Sequence, residues 1–174
     1  MLFEDESRTI GRVAIPLTLH ERLKQSPLVV LDVTLAERAA HIAQEYVHQA
    51  LDELRHEHDL RQKHDLRQAH DEPATTCRES DALAALQTQL TAALDRIERR
   101  LGGARHRDIA ALMRAAFESH GNGDSSGHTQ WVQALLTHYY DPMYDYQLSR
   151  NATRIAFRGD RAAVRAWLTA QLPS

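Results

Sequence analysis

Apolar residues change spacing several times along this chain, and each spacing predicts a different element. Leu28-Val29-Val30-Leu31, then Val33, form an apolar run rich in β-branched residues just after Pro27. A run without alternation predicts a strand covered on both faces, as in a parallel α/β sheet. Thr34 follows as a helix cap, with Glu37 three residues later completing a capping box. From Ala36 the apolar positions Ala39, Ile42, Ala43, Tyr46, Val47, Ala50, Leu51 and Leu54 keep helical spacing, which predicts a long amphipathic helix.

The remaining segments follow from the same reading. Met1-Leu2-Phe3 reads as the end of a buried strand running into an acidic turn, Ile10 to Ile15 as a short extended piece, and Leu17 to Gln25 as a helix. His58-Asp59-Leu60-Arg61-Gln62-Lys63 is echoed by His64-Asp65-Leu66-Arg67-Gln68-Ala69 and then by His70-Asp71. A period of six advances a helix by a net of about 240°, so the repeated histidines spread around it and the segment reads as a solvated insertion. Glu72 to Ser80 reads as a polar linker carrying Cys77, with Asp81 capping a helix whose stripe is Leu83, Leu86, Leu90, Leu94, Ile97 and Leu101, ended by Gly102-Gly103. A helix is predicted over Asp108 to His120, a glycine-serine loop over Gly121 to Gly127, and a helix over Trp131 to Tyr140 that Asp141-Pro142 stops. Thr153 to Arg158 reads as a strand, Gly159-Asp160 as a turn and Arg161 to Leu172 as a closing helix. Strand, helices, strand, helix is an α/β order with helical excess.

Composition narrows the class. With 174 residues, 43% of them apolar, one domain with a buried core is the default. No stretch approaches the roughly 20 apolar residues of a spanning helix, and the acidic N-terminus is unlike a signal peptide, so a cytoplasmic protein without membrane contact is expected. A formal charge of −3 argues against a protein that coats nucleic acid, so contact with an acidic partner must come from local patches. Lys24 and Lys63 are the only lysines beside 19 arginines. Arginine's planar fork suits phosphate where several converge, although a GC-rich genome gives the same bias.

Three constellations carry candidate chemistry. Glu4-Asp5-Glu6, directly after an apolar strand end, has the form of an acidic motif that holds Mg²⁺ beside phosphate, with Ser7, Arg8 and Arg12 as nearby donors. Acidic turns after strands and surface ion pairs give the same pattern. Tyr139, Tyr140, Tyr144 and Tyr146 bring four of the five tyrosines into one block; their faces suit unpaired bases, and core packing with locally bonded hydroxyls explains them as well. Arg99, Arg100, Arg105 and Arg107 cluster around the Gly102-Gly103 turn, where they can follow a phosphate backbone or pair with Asp95, Glu98 and Asp108. Eleven histidines occur without an HxxxH or HExxH pair, so no metal site is expected. Cys77 reads as an incidental thiol, and the residues leave the catalytic group unknown.

Four motifs carry a family likeness: Glu4-Asp5-Glu6-Ser7-Arg8-Thr9-Ile10-Gly11, Arg99-Arg100-Leu101-Gly102-Gly103, Tyr139-Tyr140-Asp141-Pro142-Met143-Tyr144 and Phe157-Arg158-Gly159-Asp160. In order and spacing they resemble the C-terminal half of tRNA 2-selenouridine synthases, which also act as geranyl-2-thiouridine synthases. Family members share an N-terminal rhodanese domain with a catalytic cysteine and a P-loop domain with a Walker A motif. The resemblance implies replacement of sulfur by selenium in wobble 2-thiouridine of tRNA, through a geranylated intermediate, with geranyl diphosphate and selenophosphate as the family's substrates. It adds Arg158 to the tRNA-side candidates and makes residues 1–35 the remainder of a P-loop-like parallel sheet domain. Residues 36–150 become a mainly helical subdomain with a His-rich insertion at 56–72, and 151–174 a closing strand and helix.

No G-x-x-x-x-G-K-[ST] occurs in the chain, and Cys77 does not sit where a rhodanese loop would place it. Neither autonomous catalysis nor a cofactor bound by this chain alone is expected, and a partner chain carrying the rhodanese and P-loop motifs is. A non-catalytic RNA-binding or adaptor fragment is the competing reading, and a helical interaction protein unrelated to tRNA a third.

Overall fold

Thr34 opens the helical part of the molecule. In this computed structural model, which describes residues 3, 9–10, 13–65 and 75–171, the Glu37 backbone N–H donates to the Thr34 hydroxyl at 3.2 Å. The Thr34 N–H donates to the Glu37 carboxylate at 3.1 Å, closing the capping box. Helix α2 (Leu35–Ala43) then runs through a π turn at Gln44–Gln49 into α3 (Ala50–Asp65). The buried line Ala39, Ala43, Val47, Leu51 is spaced by four, which drifts about 40° per step around an ideal α-helix. A wider turn takes back part of that drift and keeps the line on the core side.

Helix α4 (Thr75–Asp95) corrects the expected linker: Thr75 to Ser80, Cys77 among them, are helical, and Asp81 is interior rather than a cap. Once Ala82, Leu83 and Leu86 are buried, extending the helix backwards adds one hydrogen bond per residue, and no glycine or proline opposes it. A break at Ile97 leads to α5 (Glu98–Leu101), and Gly102, at φ +86°, turns the chain into α6 (Gly103–Gly121). That helix starts five residues earlier than the apolar pattern predicts.

Helix α7 (His128–Leu135) continues through a second π turn, Leu136–Tyr140, into α8 (Asp141–Arg150). Asp141-Pro142 therefore does not stop the helix, and the tyrosine block lies on a helical path rather than in a turn. The Asp141 N–H bonds the Leu136 carbonyl five residues back. The ladder is thus already shifted where the proline, with no N–H and a ring that crowds the carbonyl four residues earlier, enters it. In this body, residues 34–144, α2 packs on α7, α7 on α6, α6 on α4 and α4 on α3. Every apolar side chain described as fully buried belongs to it.

Residues 1–33 and 145–174 form a second compact body. Strands β1 (Thr9–Ile10) and β2 (Val13–Ala14) pair antiparallel, α1 spans Leu17–Gln25, and β3 (Leu28–Leu31) pairs in parallel with β4 (Ile155–Gly159). Val29 lies opposite Phe157 and Leu31 opposite Gly159; the Asp32 N–H extends the ladder to the Gly159 carbonyl at 2.8 Å. Asp160 caps α9 (Arg161–Gln171) by accepting from the Ala163 N–H at 2.8 Å, and Phe157 stacks on Trp167 with ring centres 5.3 Å apart. A Cβ on Gly159 would come within 3.1 Å of the Ala163 Cβ and 3.2 Å of the Phe157 ring; glycine lets the helix close on the strand end. Arg154 ties strand to helix by donating to the Leu23 carbonyl at 2.8 Å and the Ser26 carbonyl at 3.1 Å. The class is α/β with helical excess, with two strands in its parallel sheet among the described residues.

Candidate nucleic-acid interface

Arg99 and Arg100 project from α5, and Arg105 and Arg107 from the first turns of α6, all four exposed. The turn between them exists because Gly102 holds φ +86°, ψ 140°, a conformation that a side chain disfavours. The Arg107 guanidinium lies over the turn, 3.5 Å from where a Cβ on Gly103 would stand. Among the described residues, no ion pair joins these arginines to Asp95, Glu98 or Asp108. Asp95 instead meets His106 at 2.9 Å. Helix α6 opens without a side-chain cap, so the positive end of its dipole adds to the same surface.

The tyrosines divide by depth. Tyr139 and Tyr140, in the second π turn, are half-buried against the core, with ring centres 5.0 Å apart, edge to face. Burial, and then the neighbouring Tyr139, Tyr46 and Tyr144, push the Tyr140 hydroxyl above its ordinary pKa. Tyr144 and Tyr146 on α8 are 54% and 61% exposed. Tyr146 faces the Arg150 guanidinium, 5.9 Å from its ring centre. Arg158, on β4, is held by Asp32 through contacts of 2.8 Å. The four arginines, Tyr139, Tyr140 and Tyr144 belong to the body of residues 34–144, whereas Tyr146 and Arg158 belong to the other. Glu4, Asp5, Glu6, Ser7, Arg8 and Arg12 lie outside the described residues, as does the hexad repeat beyond Asp65.

Two side-chain groups escaped the sequence reading. Arg38 on α2 makes a two-pronged ion pair with Asp141 at the head of α8, its second contact at 2.9 Å, and hydrogen bonding from Arg38 holds the Asp141 carboxyl below its ordinary pKa. The partners are 103 positions apart, so no spacing could announce them. His48, His120 and His128 converge from the first π turn, α6 and α7. His128 is fully buried, 3.0 Å from His120 and 3.1 Å from the Trp131 indole nitrogen. The only sequence signal was a histidine at the start of an apolar helix. Among the described residues no group of three His, Cys, Asp or Glu side chains is arranged to hold a metal ion, and no helix is long and apolar enough to cross a membrane.

Residues 1–173 match the family model for the tRNA 2-selenouridine synthase AAA domain. The tRNA 2-selenouridine synthase of Hahella chejuensis is 39% identical over 165 residues, which cover 95% of this chain and 38% of that protein. Its counterpart in Alcanivorax borkumensis is 37% identical over 172 residues, covering 98% and 42%, and the Marinobacter nauticus protein 39% over 167, covering 94% and 40%. The chain thus spans about two-fifths of the length of these relatives. No solved structure matches it. With the match running over essentially its whole length, the chain belongs to the family of tRNA 2-selenouridine synthase AAA domains.

Proposed function

We propose that this chain is the tRNA-contacting part of a cytoplasmic enzyme that replaces sulfur by selenium in wobble 2-thiouridine through a geranylated intermediate. Selenophosphate and geranyl diphosphate are then the donors, and the Glu4 to Arg12 segment contributes diphosphate contacts. The observation that carries the reading is the set of exposed arginines 99, 100, 105 and 107, turned outward around Gly102 and not paired with neighbouring carboxylates among the described residues. Arginines so placed track a phosphate backbone, releasing its counterions, while an exposed ring such as Tyr144 stacks on an unpaired base.

The two effects separate by salt. In filter binding with 2-thiouridine tRNA, replacing Arg99 and Arg100 by alanine is expected to weaken binding and make the log–log salt slope shallower by about one unit or less for each phosphate no longer neutralised. Tyr144→Ala is expected to weaken binding with the slope kept. Unchanged affinity in variants whose circular dichroism is native would remove this surface from the tRNA interface.

One observation favours a second chain. In the body of residues 1–33 and 145–174, helices α1 and α9 bury no side chain completely, and β3 and β4 are only half-covered. A parallel sheet is normally covered on both faces, so a partner carrying the rhodanese and P-loop motifs fits here. Without it the chain acts as a non-catalytic RNA-binding adaptor. Mass spectrometry of digested tRNA, with and without that partner, distinguishes the two: seleno or geranyl product from this chain alone would contradict the division of labour.

A further inference from the structure

We propose that His120 and His128, with the His48 ring packed beside both, form an acid-released latch that fastens α7 to α6. An indole N–H donates a hydrogen bond and never accepts one. Because the Trp131 Nε1–H points at His128 Nδ1 over 3.1 Å, that nitrogen must offer a lone pair. A neutral imidazole with an unprotonated Nδ1 carries its hydrogen on Nε2, and His128 Nε2 is 3.0 Å from His120 Nδ1. The bonds therefore run one way, Trp131 to His128 to His120. His120 in turn keeps its hydrogen on Nε2.

This order excludes two other uses of the cluster. His128 Nε2 spends its hydrogen on His120 and has no lone pair for a metal, so three rings with centres 5.1 to 6.3 Å apart do not make a ligand set. Nor does the chain accept a proton in place. On His128 Nδ1 an added hydrogen would face the indole N–H, and on His120 Nδ1 it would face the His128 N–H. One of the two hydrogen bonds must break.

The surroundings sharpen the effect. His128 is fully buried, with the Phe117 ring of α6 edge-on at 4.8 Å. The titratable groups that act on it are His120 from α6 and His48 from the π turn, both of which repel a positive charge. Trp131, on its own helix, is neutral. Asp124, in the turn before α7, commits its carboxylate to the Ser126 N–H at 2.9 Å. Burial first, then these two histidines, lower the His128 pKa from 6.5 to about 4. The unfolded chain consequently binds the proton first. Stability from this site is complete above about pH 6.5 and is lost as the pH falls toward 4.

The test compares urea unfolding of the 174-residue chain with that of His128→Gln and His120→Gln between pH 7.5 and 4.5. Relative to His128→Gln, the wild type is expected to lose up to about tenfold in its folding equilibrium per pH unit below 6.5, one proton's worth. Amide exchange in residues 128–135 should rise before global unfolding. An identical pH slope in wild type and variant would overturn the latch. Should the variants not fold, long-range ¹H–¹⁵N spectra of the wild-type imidazoles decide it. The latch requires His128 protonated on Nε2 at neutral pH, and the Trp131 indole signal shifting as His128 charges. A hydrogen on His128 Nδ1, or an ordinary titration with the indole unmoved, would refute it.

Discussion

At the scale of single residues, the ion pair of Arg38 and Asp141 shows how a charged group is fixed by its partner more than by its neighbours in sequence. Both side chains are partly exposed, which limits the Coulomb gain, but the two-pronged geometry supplies charge-assisted hydrogen bonds that an ordinary surface pair lacks. A double-mutant cycle of Arg38→Met and Asp141→Asn is expected to show a coupling of about 1–2 kcal/mol in urea unfolding. Coupling near zero would mean that the pair is incidental. Since Asp141 is held below its ordinary pKa of 3.8, its contribution is present above that pH and is lost as the pH falls below it, directly beneath the window in which His128 charges. The two acid effects should therefore follow one another, that of His128 first.

At the scale of elements, the turn between α5 and α6 isolates backbone conformation from packing. A Cβ on Gly102 would meet nothing within 4 Å, yet the residue stands at φ +86°. Gly102→Ala should thus destabilise by about 1–2 kcal/mol through backbone strain alone. Gly103, one residue on, is helical, and its Cβ would touch only the Arg107 guanidinium at an ordinary 3.5 Å. Gly103→Ala should be neutral or stabilising, by up to about 1 kcal/mol. Equal effects of the two substitutions on the denaturation midpoint would show that the turn is not held as described. Losing the capping hydroxyl of α2 in Thr34→Ala is expected to lower stability by about 1 kcal/mol, a value that thermal melting can check.

At the scale of the molecule, full burial of apolar side chains among the described residues is confined to residues 34–144. Amide hydrogen exchange should reflect this: slow exchange in α2, α6 and α7, and faster exchange in β3, β4 and α9, whose strands and helices are at most half-covered. If the proposed partner exists, its addition should slow exchange in the second group and leave the first unchanged. Uniform protection in the isolated chain would show that residues 1–33 and 145–174 need no cover.

What was legible in the sequence was local. Helix α1 has its predicted ends at Leu17 and Gln25, and the Thr34–Glu37 capping box and the closing helix rest on interactions within a few residues, which composition and spacing record directly; the apolar runs of β3 and β4 mark the strands but not their pairing with each other. The family was legible as well, because its motifs are short and contiguous. Only the tertiary structure decided that Thr75 to Ser80 join a helix and that a helix passes through Pro142. In both cases burial of nearby side chains favours helix where local propensity is neutral or opposed. The same holds for the π turns that keep a four-residue spacing on one face, and for the pairing of Arg38 with Asp141. His48 and His128 are 80 positions apart, and what each nitrogen of His128 can donate or accept was set by an indole and an imidazole brought to it by helix packing.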